Sequence, residues 1–307
     1  MAKGISPYLS EIRGTVSKKL TFRHLKTKAG QVLQQIPIPS YRRTDKQDAV
    51  RTGYRRLCDL WKTADWLDKS VYEYFADIYR LTTFNTWLKF NLPVMTKRPA
   101  LYLGMDEGSG TVAHDYSVHE NDGTIEGASW QKLPNGKNVL YFDGVDDEVS
   151  AGDKPEFNTQ TFTMLIWVKL LQKPSTYSVK IMGKQDQYWF EWRATRKLSL
   201  SIKDVSGAYD GGGPIIYLDD GEWHLIGFIY DGETKYGGHN GEYVFEKYIG
   251  FEIPTTTNPM TISSSVQFDT TYSSGFIGYA TMAMFTQKVL TEKEFKQIYM
   301  ITKPLFK

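Results

Sequence analysis

Apolar residues at helical spacing dominate the chain between Asp45 and Leu92. Val50, Tyr54, Leu57, Trp61 and Ala64 recur every three or four positions. That predicts an amphipathic helix capped by Thr44, with Asp45 and Asp48 in its first turn. A second helix is expected from about Asp68 to Tyr79, with Val71, Tyr74, Phe75 and Ile78 as its apolar face. A third is expected from Phe84 to Leu92, capped by Thr82 or Thr83 and stopped by Pro93. Upstream, Ile12 to Phe22 reads as a short strand and Gln31 to Ile38 as another, with a turn at Lys26-Thr-Lys-Ala-Gly30 between them. Ile36-Pro-Ile-Pro-Ser40 is extended, because prolines at alternate positions forbid helix.

Beyond Pro99 the period changes from helical to alternating. Short segments are separated by turn signals such as Asn121-Asp-Gly123, Asn135-Gly136, Asp143-Gly144, Asp219-Asp-Gly221, Asp231-Gly232 and Asn240-Gly241, which is the texture of an all-β sandwich. Phe162, Met164, Ile166, Val168 and Leu170 share one face of a strand whose other face carries Leu165 and Trp167. Both faces are apolar, so this strand is expected at the centre of a sheet. Tyr188, Phe190 and Trp192 share a face and Trp189 takes the other; one of the two must be core. Gly211-Gly-Gly213 reads as a flexible loop. A closing helix is expected from Thr291 to Ile298, with Thr291 as cap and Glu294 at the capping-box position.

Charge divides the chain at the same place as the texture. Residues 1–98 carry 19 Lys+Arg and 8 Asp+Glu, a net +11; residues 99–307 carry 18 and 27, a net −9, and 11 − 9 = +2 recovers the total. The organisation expected is a basic extended arm (1–43), a helical anchoring domain (44–98) and a β-sandwich (99–307), a mainly β chain. Lys18, Lys19, Arg23, Lys26, Lys28, Arg42 and Arg43 are the candidate partner or assembly residues. They suit docking on an acidic protein surface, contact with nucleic-acid phosphates, or a solvated basic tail. The single cysteine, Cys58, excludes an internal disulfide. Met1 to Leu9 holds no apolar signal-peptide core, and no run approaches ~18 apolar residues, so folding in the cytoplasm is expected.

Catalytic chemistry finds no support. No strand carries Glu-x-Asp-x-x-Glu, the spacing that places glycosidase carboxylates on one face. Asp146-Asp147-Glu148 is the densest acidic cluster and reads as a turn. His24, His114, His119, His224 and His239 lack the spacing of a zinc site, and no phosphate loop is present. Candidate ligand-binding residues are Tyr209, Tyr236 and His239, read as lying in Gly-rich loops, together with Trp189. For each, packing is the commoner role and binding the second.

Several phrases, in order over about 200 residues, resemble laminin-G-like, concanavalin-A-like jelly-roll domains: Leu101-Tyr-Leu-Gly-Met-Asp-Glu-Gly-Ser-Gly-Thr111, Asp115-Tyr-Ser117, Asn121-Asp-Gly-Thr124, Leu140-Tyr-Phe-Asp-Gly-Val-Asp-Asp147, Phe162 to Val168, Gly221-Glu-Trp-His224 to Gly232, Phe276-Ile-Gly278 and Val289-Leu-Thr-Glu292. The resemblance implies two packed antiparallel sheets and a carbohydrate- or protein-binding role. It also implies Ca²⁺ at one edge, with Asp115, Asn121, Asp122 and Asp143 as candidate ligands. Where many relatives place acidic residues this chain reads Gly278-Tyr-Ala-Thr-Met-Ala283, which removes carboxylates from that set.

Ile12-Arg-Gly-Thr-Val16, Lys28-Ala-Gly30, Arg43-Thr-Asp-Lys-Gln-Asp-Ala-Val-Arg51 and Trp61 resemble the start of structural proteins of tailed bacterial and archaeal viruses. The resulting expectation is a non-enzymatic virion protein, anchored by its N-terminal part among other virion proteins and copies of itself. Its lectin-like sandwich would decorate the particle or attach to host glycans. The alternative is a cellular carbohydrate- or protein-binding module.

Overall fold

A computed structural model describes residues 14–17, 20–23, 32–34, 44–67, 69–174, 177–263 and 275–306, with backbone alone before residue 44 and at Ser70 and Val71. Two compact units are present, Met1–Asp45 and Lys46–Lys307. The first contains an antiparallel sheet of β1 (Gly14–Ser17), β2 (Leu20–Arg23) and β3 (Val32–Gln34). The strand expected from Ile12 to Phe22 is therefore two, folded back so that Gly14 pairs with Phe22. Lys18, Lys19, Lys26, Lys28, Arg42 and Arg43 lie outside the described residues, and Arg23 is described by its backbone at the end of β2.

The second unit opens with α1 (Asp45–Thr63), α2 (Ser70–Tyr79) and α3 (Thr83–Met95). The N-cap of α3 is Thr82, whose side chain accepts from Asn85 N at 3.1 Å. Pro93 lies inside α3 and does not end it. Only the bond to the carbonyl of exposed Lys89 is forgone, and burial of Val94 and Met95 outweighs it. The buried face of α1 is Ala49, Gly53, Leu57 and Leu60, while Val50 and Tyr54 are exposed. A Cβ on Gly53 would stand 2.8 Å from Met95 Cβ, so the two helices cross where one lacks a side chain. That crossing turns the smaller residues inward and leaves Tyr54 outside. In α2 the buried residues are Tyr72, Phe75 and Ala76, and the expected Tyr74 and Ile78 are exposed.

Strands β4 to β19, numbered in chain order, form two antiparallel sheets. The first contains β4 (Leu101–Leu103), β7 (Ser129–Lys132), β8 (Asn138–Asp143), β10 (Phe162–Leu170), β15 (His224–Tyr230), β16 (Thr234–His239), β17 (Glu242–Tyr248) and β19 (Ile277–Thr286). The second contains β5 (Val112–Ala113), β6 (Gly123–Glu126), β9 (Glu148–Ser150), β11 (Ser178–Lys184), β12 (Tyr188–Arg193), β13 (Leu198–Lys203), β14 (Tyr209–Asp210) and β18 (Met260–Ile262). As the alternation predicted, β10 is central, between β15 and β19. Phe162, Met164, Ile166, Val168 and Leu170 enter the core between the sheets, where they meet Tyr188, Phe190 and Trp192 of β12. Gly211-Gly-Gly213 is a paired segment rather than a free loop: Gly212 O accepts from Leu200 N at 3.2 Å.

The other face of the first sheet is apolar as well. Tyr102, Leu165, Trp167, Leu225, Met282 and Met284 form a second core with Leu57, Leu60, Phe75, Trp87, Phe90 and Val94 of the helices. α4 (Glu292–Thr302) adds Phe295 and Ile298, and its capping box of Thr291 and Glu294 is complete. The helices thus share a core with the sandwich across residues 98 and 99.

Candidate functional site: an aromatic and guanidinium platform

Strand alternation decides which side chains of the second sheet face outward. Because Tyr188, Phe190 and Trp192 are fully buried, Trp189, Glu191 and Arg193 point away from the core. Trp189 stacks on Tyr209 of β14, centroids 5.6 Å apart and planes at 20°. The Tyr209 hydroxyl shares a hydrogen bond with Ser201 Oγ at 2.9 Å and accepts from Arg193 Nη2 at 3.3 Å. Arg193 Nη1 donates to the Tyr177 hydroxyl at 2.6 Å, and the guanidinium lies over the Tyr177 ring at 4.9 Å. Glu191 Oε1 holds it from the side at 2.8 Å. Tyr177 and Tyr209 remain about half exposed. Across the strand pair from Glu191 sits Lys180, whose ammonium burial pushes down to about 7 against the pull of Glu148 and Glu191. The result is a hydrogen-bonded patch of flat aromatic surface edged with hydroxyl and guanidinium donors. Such a patch stacks on apolar faces and hydrogen-bonds polar edges.

The other expected ligand residues lie elsewhere. Tyr236 is on β16, stacked on Tyr243 at 5.3 Å, and its hydroxyl donates to Asp231 Oδ2 at 3.1 Å. His239, in the same strand, is engaged with other side chains: its Nε2 meets His224 Nδ1 at 2.9 Å, and His224 Nε2 meets Asp220 Oδ1 at 2.9 Å. Burial holds the His239 imidazole down to about 4, helped by His224, so it stays neutral at ordinary pH. The platform thus joins Trp189 and Tyr209 with two residues that sequence reasoning missed, Arg193 and Tyr177. The outward side of the alternation was a signal for Arg193. Tyr177 lies outside any strand and gave none.

The candidate calcium ligands divide into two groups. Asp115 is buried, and its carboxylate accepts four bonds: Oδ1 from Tyr102 N and Ser117 N at 2.8 Å each, Oδ2 from Ser117 Oγ at 2.6 Å and Asn121 N at 2.9 Å. Asn121 donates its amide to Ala100 O at 3.0 Å. Asp122 Oδ1 accepts from Asp115 N at 2.8 Å, and its Oδ2 faces His114 Nδ1 at 3.2 Å. These residues tie the β4 end of the sheet together, and donors already occupy both oxygens of Asp115. Asp143 stands apart, with Asp146 and Asp147. Ligand atoms of these three lie within 4.8 Å of one another, and Asp143 also caps its own turn through Val145 N.

The architecture is a sandwich of two antiparallel sheets. Residues 143–295 match the family model of the concanavalin A-like lectin/glucanases superfamily. No curated protein sequence matches the chain. Among solved structures, it is similar to the binding domain of Paraclostridial Mosquitocidal Protein 1, with 11% identity, a TM-score of 0.55, and coverage of 66% of this chain and 52% of that one. The botulinum neurotoxin serotype D binding domain gives 11% identity, a TM-score of 0.52 and the same coverage. The chain therefore spans about half the length of these binding domains. Domain 4 of AbnA, a GH43 extracellular arabinanase from Geobacillus stearothermophilus solved with arabinotriose, is covered over 98% of its length, with 14% identity and a TM-score of 0.52 against 66% of this chain. A serotype D ligand binding domain was solved with N-acetylneuraminic acid, at 11% identity and a TM-score of 0.52, covering 66% of this chain and 51% of that one. At these identities the likeness is one of fold.

Proposed function

We propose that residues 99–307 form a non-catalytic carbohydrate-binding domain, and that the platform of Trp189, Tyr209, Arg193 and Tyr177 is its contact surface. The observation that carries this reading is an outward aromatic pair locked beside a guanidinium held by Glu191 and two tyrosine hydroxyls. Rings and donors held in place lose little freedom when a sugar settles on them. The complexes of two fold relatives, with arabinotriose and with N-acetylneuraminic acid, support the ligand class. Glycan-array binding of the whole chain is the test. Trp189→Ala and Tyr209→Ala are each expected to weaken retained glycans by about tenfold, the loss of one ring contact. Unchanged binding in the double variant would sink the platform reading, and release of sugar from a polysaccharide panel would sink the non-catalytic one.

Display of this domain on a viral particle is a separate proposal. It is supported by the N-terminal phrases and by the charge split of +11 against −9 across residue 98. Mass spectrometry of purified particles tests it: a fixed stoichiometry supports residence in the virion, and absence leaves a binding module of other setting.

A further inference from the structure

A cavity of about 470 Å³ opens between the α1–α2 linker and the segment that follows β4, within the roughly 300–1,000 Å³ range of small-molecule sites. It shares no residue with the platform. Trp66, Glu107, Ser109, Trp130, Gln131 and Asn138 line it.

Its walls are set in advance. The Trp66 indole stacks on His114 at 3.9 Å and 19°, and His114 is in turn held by Asp122. Trp130 donates its indole N–H to Gly110 O at 2.8 Å, so only its ring surface is left for a ligand. Gly108, at φ +80°, brings the backbone so close that a Cβ would stand 2.4 Å from Asn138 Nδ2. Glu107 is 5% exposed; its Oε1 accepts from His114 N at 2.7 Å, while its Oε2 is buried with no hydrogen-bond partner. A buried orphan oxygen gains from any group that satisfies it.

We infer that this cavity binds a neutral saccharide unit, with the Trp66 and Trp130 indoles against its C–H surface and Glu107, Gln131 and Asn138 meeting its hydroxyls. Two indole surfaces beside amide and carboxyl groups suit a ring that is apolar on its faces and polar at its rim. Neutrality follows from the charges around Glu107. Burial and then the neighbouring Asp106 carboxylate hold the Glu107 proton up to about 8, against the opposing pull of Lys137. At pH 7 the group is a neutral carboxyl able to donate as well as accept. An anionic sugar would meet Asp65 in the lining, with one lysine, Lys132, beside it.

Calorimetric titration of the whole chain with arabinotriose, xylotriose, cellotriose, maltotriose and mannotriose tests the inference, with N-acetylneuraminic acid as the anionic probe. At least one neutral trisaccharide is expected to bind, and Trp66→Ala and Trp130→Ala are each expected to weaken it by about tenfold or more. Ser109 is exposed, so Ser109→Trp fills the cavity without removing a packed ring. It should abolish that binding with the thermal midpoint unchanged, which separates blocking from misfolding. Wild-type affinity should fall as pH rises through about 8 and Glu107 loses its proton; Glu107→Gln should bind at pH 7 and lose that fall. Asp65, Asp106, His114, Lys132 and Lys137 face the same group and are intact in both proteins. The inference is overturned if no neutral trisaccharide binds, or if binding survives Ser109→Trp. It is also overturned if binding is lost only in Trp189→Ala or Tyr209→Ala, a result that would leave the platform reading standing.

Discussion

Excision of residues 1–98 is expected to leave residues 99–307 unable to persist as a soluble monomer. The reason is the second core. Tyr102, Leu165, Trp167, Leu225, Met282 and Met284 form an apolar face on the outside of the first sheet, and α1–α3 cover it with Leu57, Leu60, Phe75, Trp87, Phe90 and Val94. Burial of one such side chain is worth about 1.5–3 kcal/mol. The six contributed by the helices amount to about 9–18 kcal/mol, as large as the whole stability of an ordinary domain. A bare face of that kind also recruits other copies. A chain starting at Lys46 retains the entire packed unit and should be monomeric with a sharp thermal transition. Size exclusion and dye binding to exposed apolar surface distinguish the two. A monomeric, dye-silent 99–307 fragment would mean that the sandwich closes without the helices.

The second large effect is expected at Asp106, where Asp106→Ala should cost about 3–5 kcal/mol by urea denaturation, the range for breaking a buried charged pair. Asp106 is 2% exposed. It accepts from the Tyr72 hydroxyl of α2 at 2.8 Å and from the Tyr116 hydroxyl at 2.5 Å, with buried Lys137 Nζ at 3.8 Å. Burial, with Asp106 adding to it, pushes both phenols well above their ordinary range, so they stay protonated donors. Alanine would strand two phenols and a buried ammonium together. Asp106→Asn keeps an acceptor and should cost less. Tyr72→Phe removes one bond and should cost about 1 kcal/mol. Equal, small losses in all three variants would show that the network is not what fastens α2 to the sandwich.

How far the sequence could be read depended on whether a pattern was local. β10 was legible because nine residues alternate with both faces apolar, and only a central strand covered on both sides satisfies that. The capping box at Thr291 and Glu294 was legible because its partners are three residues apart. The faces of α1 and α2 were misjudged by about one position for the opposite reason. Periodicity marks a stripe, but the centre of that stripe was set by Gly53 meeting Met95 and by Tyr72 reaching Asp106, contacts across 42 and 34 residues of chain. Asp115 and its neighbours looked like metal ligands because a turn rich in Asp and Asn serves either purpose. Tyr102 N, from a strand 13 residues away, is one of the four donors that fill the carboxylate.

The sequence by itself determined the two-sheet sandwich, the central place of β10 and the region of each helix. These follow from residue spacing and turn chemistry, which act over a few residues. Tertiary structure alone decided that the helices share a core with the sandwich, that Arg193 and Tyr177 complete the platform, and that Trp66 and Trp130 face one cavity beside Glu107. Those outcomes depend on which surfaces meet, and burial has no direction along the chain: apolar area is removed from water wherever two faces fit, however many residues separate them.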